Sequence, residues 1–236
     1  MAKQNDRLEL KIVSPAGIAQ YPKLHTPDTK FDAAGVYEVK LRFNPDDAVA
    51  VLDKKKIPWS ELKDAIDAQQ AEFMAEKKAE LAKGDGKNKN KAKTIESIEW
   101  GAEPDLDDGG NETGMVVIKA KMKSSGTGKD GKKWTRKPKL FDAKGKPLPE
   151  DGPQVWGGSV LKVSGKIVPY YMPKENEVGS TFYMDAVQVI TLVSGQGREA
   201  GDYGFGEEEG YAAEEETTSQ FEGEAESETE GAGGNF

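Results

Sequence analysis

Two long stretches, GGSVLKVSGKIVPYY (157–171) and STFYMDAVQVITLV (180–193), largely alternate apolar and polar residues. A period of two sustained over that length can bury one face only as a β-strand, because a helix would scatter the same apolar residues around its circumference. In the first, Leu161, Val163 and Ile167 share the core face, while Lys162, Ser164, Lys166 and Tyr170 share the other. Gly165 stands on the core-facing side, where a missing side chain lets a strand coil as sharply as a small barrel demands. The segment GVYEVKLRF (35–43) repeats the pattern, with Tyr37, Val39, Leu41 and Phe43 on one face and Glu38, Lys40 and Arg42 on the other. GMVVIKAKMK (114–123) does so again, with Val116, Ile118, Ala120 and Met122 opposite Lys119, Lys121 and Lys123. Long strands at irregular spacing suit a small barrel better than an alternating α/β sheet.

Helix is confined to one insertion. Asn44 and Pro45 supply an N-cap and a first-turn proline for a short helix through about Lys54, and Ser60 begins a second running to Lys83. Leu62, Ala65, Ile66, Phe73 and Leu81 give that second helix a thin apolar stripe, so it lies on a surface. Gly84 ends it. The lysine-rich stretch 83–93, with Asp85 its single acid, reads as a flexible basic loop before a strand over 94–100. DLDDGGNETG is a turn: counted as a calcium loop from Asp105, its fifth and twelfth positions are Gly109 and Val116, which cannot ligate through side chains. SSGTGKDGKKW forms a hairpin tip. Within it, GTGKDGKK imitates a phosphate-binding loop until Lys133 stands where Ser or Thr must hold magnesium, and the loop joins strands instead of opening a helix.

Charge separates the chain into two parts. Residues 199–236 hold 13 of the 42 acids and none of the 33 Lys and Arg, so a net charge of −9 is a +4 body joined to a −13 tail. The tail carries too little apolar surface to offset the entropy of ordering it, yet it ends on Phe236. Domain boundaries follow: residues 1–197 as a folded domain and 198–236 as a disordered acidic tail. No apolar run approaches the ~20 residues of a membrane helix, and the N-terminus lacks a signal peptide's apolar core, which points to a soluble intracellular protein. Without cysteine, and with His25 alone, neither a disulfide framework, a Cys/His zinc site nor a cysteine nucleophile is available. The paired acids Asp46-Asp47, Asp107-Asp108 and Glu150-Asp151 lie at a helix start or in turns, where the helix dipole and turn hydrogen bonding account for them. No catalytic constellation, metal site or cofactor motif emerges.

A binding signal does. From Lys119 to Lys139 there are nine bases against Asp130 alone, with Trp134 and Phe141 among or just beyond them. Phosphates need cations and unpaired bases need flat faces to stack on, so interleaved bases and aromatics fit a single-strand groove. The candidate stackers are Trp134, Trp156, Tyr170 and Tyr171; the candidate phosphate contacts are Lys119, Lys121, Lys123, Lys162 and Lys166.

GVYEVKL (35–41), the block WGGSVLKVSGKIVPYY with STFYMDAVQVITL, and the glutamate-rich end finishing NF resemble the single-stranded-DNA-binding proteins of tailed bacteriophages. The resemblance implies a mainly β, five-stranded OB-fold barrel with an inserted helical segment and a disordered acidic C-terminal tail closed by phenylalanine. It implies no enzyme and no cofactor, but a protein that coats single-stranded DNA in phage replication, recombination and repair, promotes annealing and works in the cytoplasm of the infected host. Carried over by position, Lys3, Lys162 and Tyr170 fall on the family's DNA face. Where the family has an Arg before Gly-Val-Tyr this chain has Ala34, which leaves Lys40 and Arg42 as substitutes. The tail would occupy the DNA groove in cis and, once displaced, dock on the phage DNA polymerase and helicase-primase through Phe236 with Glu226, Glu228 and Glu230. A homodimer is also implied. Two rivals stand beside this reading: an acidic-tailed chaperone for basic nucleic-acid-binding proteins, and a nuclease with dispersed carboxylates.

Overall fold

The computed structural model describes residues 9–100, 103–150 and 152–193. Their chain order is β1 (Leu10–Val13), β2 (Gly17–Asp28), β3 (Val36–Phe43), β4 (Val49–Leu52), β5 (Lys55–Pro58), α1 (Trp59–Ala82), α2 (Gly86–Thr94), β6 (Glu96–Ser97), β7 (Glu103–Leu106), β8 (Glu112–Lys123), β9 (Ser125–Thr127), β10 (Lys133–Thr135), β11 (Lys139–Phe141), β12 (Val160–Met172) and β13 (Glu177–Thr191). Strands dominate, as the alternation requires. β2 pairs with β3, β3 with β8, β8 in parallel with β13, β13 with β12, and β12 returns to β2. Five strands thereby close a circuit, the OB-like arrangement expected of the sequence, with both helices inserted between β5 and β6.

The interior of the circuit collects the residues that the period of two assigned to it. Val39, Leu41, Ile118, Ala120, Leu161, Val163 and Ile167 are all essentially inaccessible, and Phe182 and Met184 of β13, to which no face was assigned, are buried with them. Each fully buried Leu, Ile or Phe here contributes about 1.5–3 kcal/mol relative to an exposed one. α1 packs on β12 and β13 and buries Trp59, Leu62 and Ile66, and the Trp59 ring stands edge-on to Phe43 with centroids 5.0 Å apart. Beyond Ile66 the buried positions of α1 are Gln69 and Gln70, while Phe73 and Leu81 are only half-buried. The helix there meets polar groups: the Gln70 amide donates to Ser97 Oγ at 2.6 Å and accepts from Ser180 Oγ at 2.6 Å, which ties it to β6 and β13.

Three local expectations are corrected. Residues 45–54 are not a helix but a turn and the β4–β5 hairpin. The Asn44 side chain accepts from the Asp46 N–H instead of capping a helix, and Asp53 and Lys54 (φ 47° and 69°) form a two-residue turn with both residues left-handed. The buried cross-strand pair Ala50 and Ile57 secures it. Residues 83–93 are not a loop but largely α2, whose N-cap Asp85 accepts from the Asn88 N–H at 2.9 Å. The Asn176 side chain donates to the Lys91 carbonyl at 3.1 Å, so the turn between β12 and β13 caps the other end. The strand over 94–100 shrinks to β6, because β6 adds only a short parallel pairing to the start of β13.

Gly165 behaves as the coiling argument requires. The β12–β13 register shifts between Ser164 and Gly165, and a Cβ on Gly165 would stand 2.0 Å from the Tyr183 carbonyl oxygen. No helix among the described residues is long and apolar enough to cross a membrane. Gly165→Ala should therefore destabilise at or above the upper end of the ~1–3 kcal/mol typical of overpacking, read as a lowered urea midpoint with unchanged slope. His25 gives a second test. Its Nε2 accepts from the Val155 N–H at 3.2 Å, and burial, with the nearby Lys137 charge, holds its pKa below the ordinary 6.5. A folded pKa under the unfolded one means that this contribution is present above about pH 6.5 and is lost as pH falls through the folded value. His25→Gln should flatten stability against pH in that window; an unaltered profile would remove His25 from the latch.

Candidate nucleic-acid interface

The outward face of β3 and β8 carries the lysines that alternation placed there, and the register fixes their neighbours. Lys40 lies across from Lys119, Glu38 from Lys121, and Val36 from Lys123. Like charges directly opposite one another repel, and the face relieves this with carboxylates. Lys119 pairs with Glu38 at 2.6 Å, Lys123 with Asp32 at 3.3 Å and Lys40 with Glu103 at 3.3 Å. Arg42 Nε stands 2.8 Å from Asp105 Oδ2 without a hydrogen-bonding alignment, so that contact is an ion pair alone. Glu103 and Asp105 both come from β7, the strand hydrogen-bonded to the first half of β8.

Lys121 is the exception. Among the described residues no carboxylate comes within ion-pair distance of it. Burial lowers its pKa from the ordinary 10.5, Lys119 lowers it further, Glu38 opposes, and Lys123 lowers it again. An ammonium so placed has more to gain from an incoming anion than its paired neighbours.

Beyond β8 the circuit turns onto β13 and β12, bringing a ring to the lysines. Ala120 and Lys121 pair in parallel with Phe182 and Tyr183, and Gly179 on β13 sits opposite Tyr170. Tyr170 lies over Gly179, where a Cβ would be 2.8 Å from its ring, and it lines one groove with Lys119, Lys121, Ser180 and Thr181. Of the twelve residues expected on the DNA face, these three, Lys119, Lys121 and Tyr170, line this groove.

The other expected residues lie elsewhere. Lys3 is outside the described residues, as are Glu226, Glu228, Glu230 and Phe236 of the tail. Trp134 sits on the separate β9–β10 hairpin, its ring against Gly126 and under the Arg136 guanidinium at 4.9 Å. Trp156 is half-exposed just before β12, and Tyr170 is near the other end of that strand, roughly 30 Å of extended chain away. Lys162 lines a depression with Phe141 and Gln188, whereas Lys166 pairs with Glu9 at 2.7 Å beside Lys11 and Arg136. Tyr171 turns toward α1: Lys77 Nζ lies 5.4 Å from its ring centroid and its hydroxyl donates to Asn176 at 2.7 Å. The sequence reading missed the compensating carboxylates. Alternation placed Glu38 on the polar face of β3, but nothing local reveals that Glu103 and Asp105 would reach Lys40 and Arg42.

Comparison with known proteins bears on the family and the fold. The family model described as single-stranded DNA-binding protein, bacteriophage T7, matches residues 15–192. Among solved structures, gp2.5, a single-stranded DNA binding protein encoded by bacteriophage T7, is 25% identical with a TM-score of 0.58, over 87% of this chain and 100% of that one. The C-terminally truncated single-stranded DNA-binding protein from bacteriophage Enc34 is 15% identical with a TM-score of 0.46, over 82% of this chain and 98% of that one. No curated protein sequence matches. The family model spans the whole strand circuit, from the start of β2 to the end of β13, and this chain belongs to the bacteriophage T7 family of single-stranded DNA-binding proteins.

Proposed function

We propose that this protein binds single-stranded DNA, with the strand lying on the β3–β8 face and entering the groove beside Tyr170. The observation that carries the reading is the meeting of Lys119 and Lys121 with the Tyr170 ring in one groove, cations for phosphate beside a face for a base. The paired lysines add to it differently. Exposed ion pairs of the Lys40–Glu103 kind are worth about 0–1 kcal/mol, so a polyanion can exchange one carboxylate for a phosphate at small cost. The protein then coats single strands without sequence preference, as a binding protein and not an enzyme, in the cytoplasm of an infected bacterium.

The finer roles rest on sequence and family membership. Residues 1–197 form the DNA-binding domain and 198–236 the acidic tail, which competes with DNA for the same face. A tethered competitor acts at an effective concentration in the ~mM range, so weak tail binding suffices to tune apparent affinity. When DNA displaces the tail, Phe236 and the glutamates before it become available to the phage DNA polymerase and helicase-primase. Service in replication, recombination and repair, strand annealing, and assembly as a homodimer complete the proposal.

Three measurements test it. Tyr170→Ala should cost about 1–3 kcal/mol on oligo-dT, and full affinity would remove Tyr170 from the site. Lys121→Ala should weaken binding and make log K against log salt shallower by about 0.7, the loss of one phosphate contact to a single strand. Deleting residues 212–236 should tighten binding to oligo-dT at low salt, and unchanged affinity would end the competitor role.

A further inference from the structure

Two rings stand out from the surface. Among the described residues Phe31 is 91% exposed and Tyr21 is 81% exposed, while no other large apolar side chain is more than 55% exposed. Both flank the β3–β8 face on its β2 side. Tyr21 sits in a bulge, because β2 pairs Gln20 with Lys40 and Lys23 with Glu38, leaving two residues of β2 opposite the single Val39. Its φ of 48° is left-handed, a conformation that a bulky residue adopts only when its surroundings impose it. Bulges re-aim side chains, and this one throws an aromatic ring into solvent next to the Gln20–Lys40 pair.

Phe31 belongs to the short connection from β2 to β3, which is firmly built. The Asp28 carboxylate accepts from the Lys30 N–H at 2.8 Å, Asp32 accepts from the Ala34 N–H at 2.9 Å, and Ser125 Oγ donates to the Ala34 carbonyl at 2.9 Å. Asp32 also holds Lys123, the last lysine of β8, at 3.3 Å. The backbone that carries the ring is therefore held at the edge of the basic face, and the ring contributes nothing to the core. Lys30 Nζ lies 5.2 Å from its centroid, and exposed Lys23 stands two residues from Tyr21. Phe31 thus has a cation for the phosphate next to the base it would cover.

We propose that Tyr21 and Phe31 are base-stacking residues, so that the bound strand crosses β2, β3 and β8 from these rings to Tyr170. This rests on the reading of the β3–β8 face as the DNA site and extends it to a second bank. A stacked base is worth ~1–3 kcal/mol, and each ring's removal should weaken oligo-dT binding roughly 5- to 150-fold.

The test is fluorescence anisotropy of labelled oligo-dT with the full chain, comparing wild type, Tyr21→Asn, Phe31→Ala and the double variant. Asn tolerates a left-handed backbone, so the bulge survives while the ring is lost; thermal unfolding midpoints should match wild type. An abasic oligonucleotide of equal length supplies the phosphates without bases. The expected result is weaker oligo-dT binding by both single variants, an unchanged salt slope, and abasic binding equal to wild type. Wild-type binding retained by both variants on oligo-dT overturns this proposal and leaves the β3–β8 face intact as the site. Equal weakening on oligo-dT and on the abasic strand also overturns it, because the loss would then lie in backbone contacts. Failure of the wild-type chain to bind oligo-dT at low salt would instead bring down the reading beneath it.

Discussion

The structure depends on one short parallel contact, where Ala120 and Lys121 of β8 meet Phe182 and Tyr183 of β13. That pairing closes the strand circuit and sets the β8 lysines near Tyr170 of β12, which lies across from Gly179 of β13. Few backbone hydrogen bonds span it, so its strength comes from what lies beneath. Ala120 and Phe182 are wholly buried, and the small side chain against the large one lets the two strands close over a filled interior. Gly165 makes the same closure feasible on the other side, letting β12 bend closely past the Tyr183 carbonyl. Binding geometry and core packing are therefore one problem.

The basic face is less basic than its lysines suggest. Glu38, Asp32, Glu103 and Asp105 answer Lys119, Lys123, Lys40 and Arg42, which leaves Lys121 as a cation of that face with no carboxylate within ion-pair distance among the described residues. Such compensation keeps the face from repelling itself while no anion is bound. On the proposed reading, binding at this face is an exchange of partners, in which affinity tracks how weakly the exposed carboxylates hold. In the proposed competition the −13 tail would offer the same cations further carboxylates on a tether.

Much was legible from the chain because side-chain period is a local property. The strands 157–171, 180–193, 35–43 and 114–123 appear close to where alternation put them, and Leu161, Val163 and Ile167 are buried as their parity requires. The failures were also local in origin. Asn44-Pro45 is an ambiguous signal, because the Asn side chain can cap a helix or bind its own turn, and only the burial of Ala50 against Ile57 decides for a hairpin. The lysines of 87–93 suggested a loop, yet the Asp85 cap and the Asn176 side chain, which lies far away in sequence, supply both ends of a helix.

What the sequence determined by itself was which residues face inward, where the bases and acids concentrate, and that a β body is followed by a stretch of charge −13. Period and composition act over a few residues and need no partner to be read. What only the tertiary structure decided was which of the exposed groups stand together. Trp156 precedes β12 while Tyr170 lies near that strand's far end, Tyr170 and Tyr171 are adjacent yet point to different neighbours, and Lys40 finds Glu103 across 63 residues of chain. Those outcomes follow from strand register and from the closure of the circuit, which set distances between residues that the order of the chain leaves free.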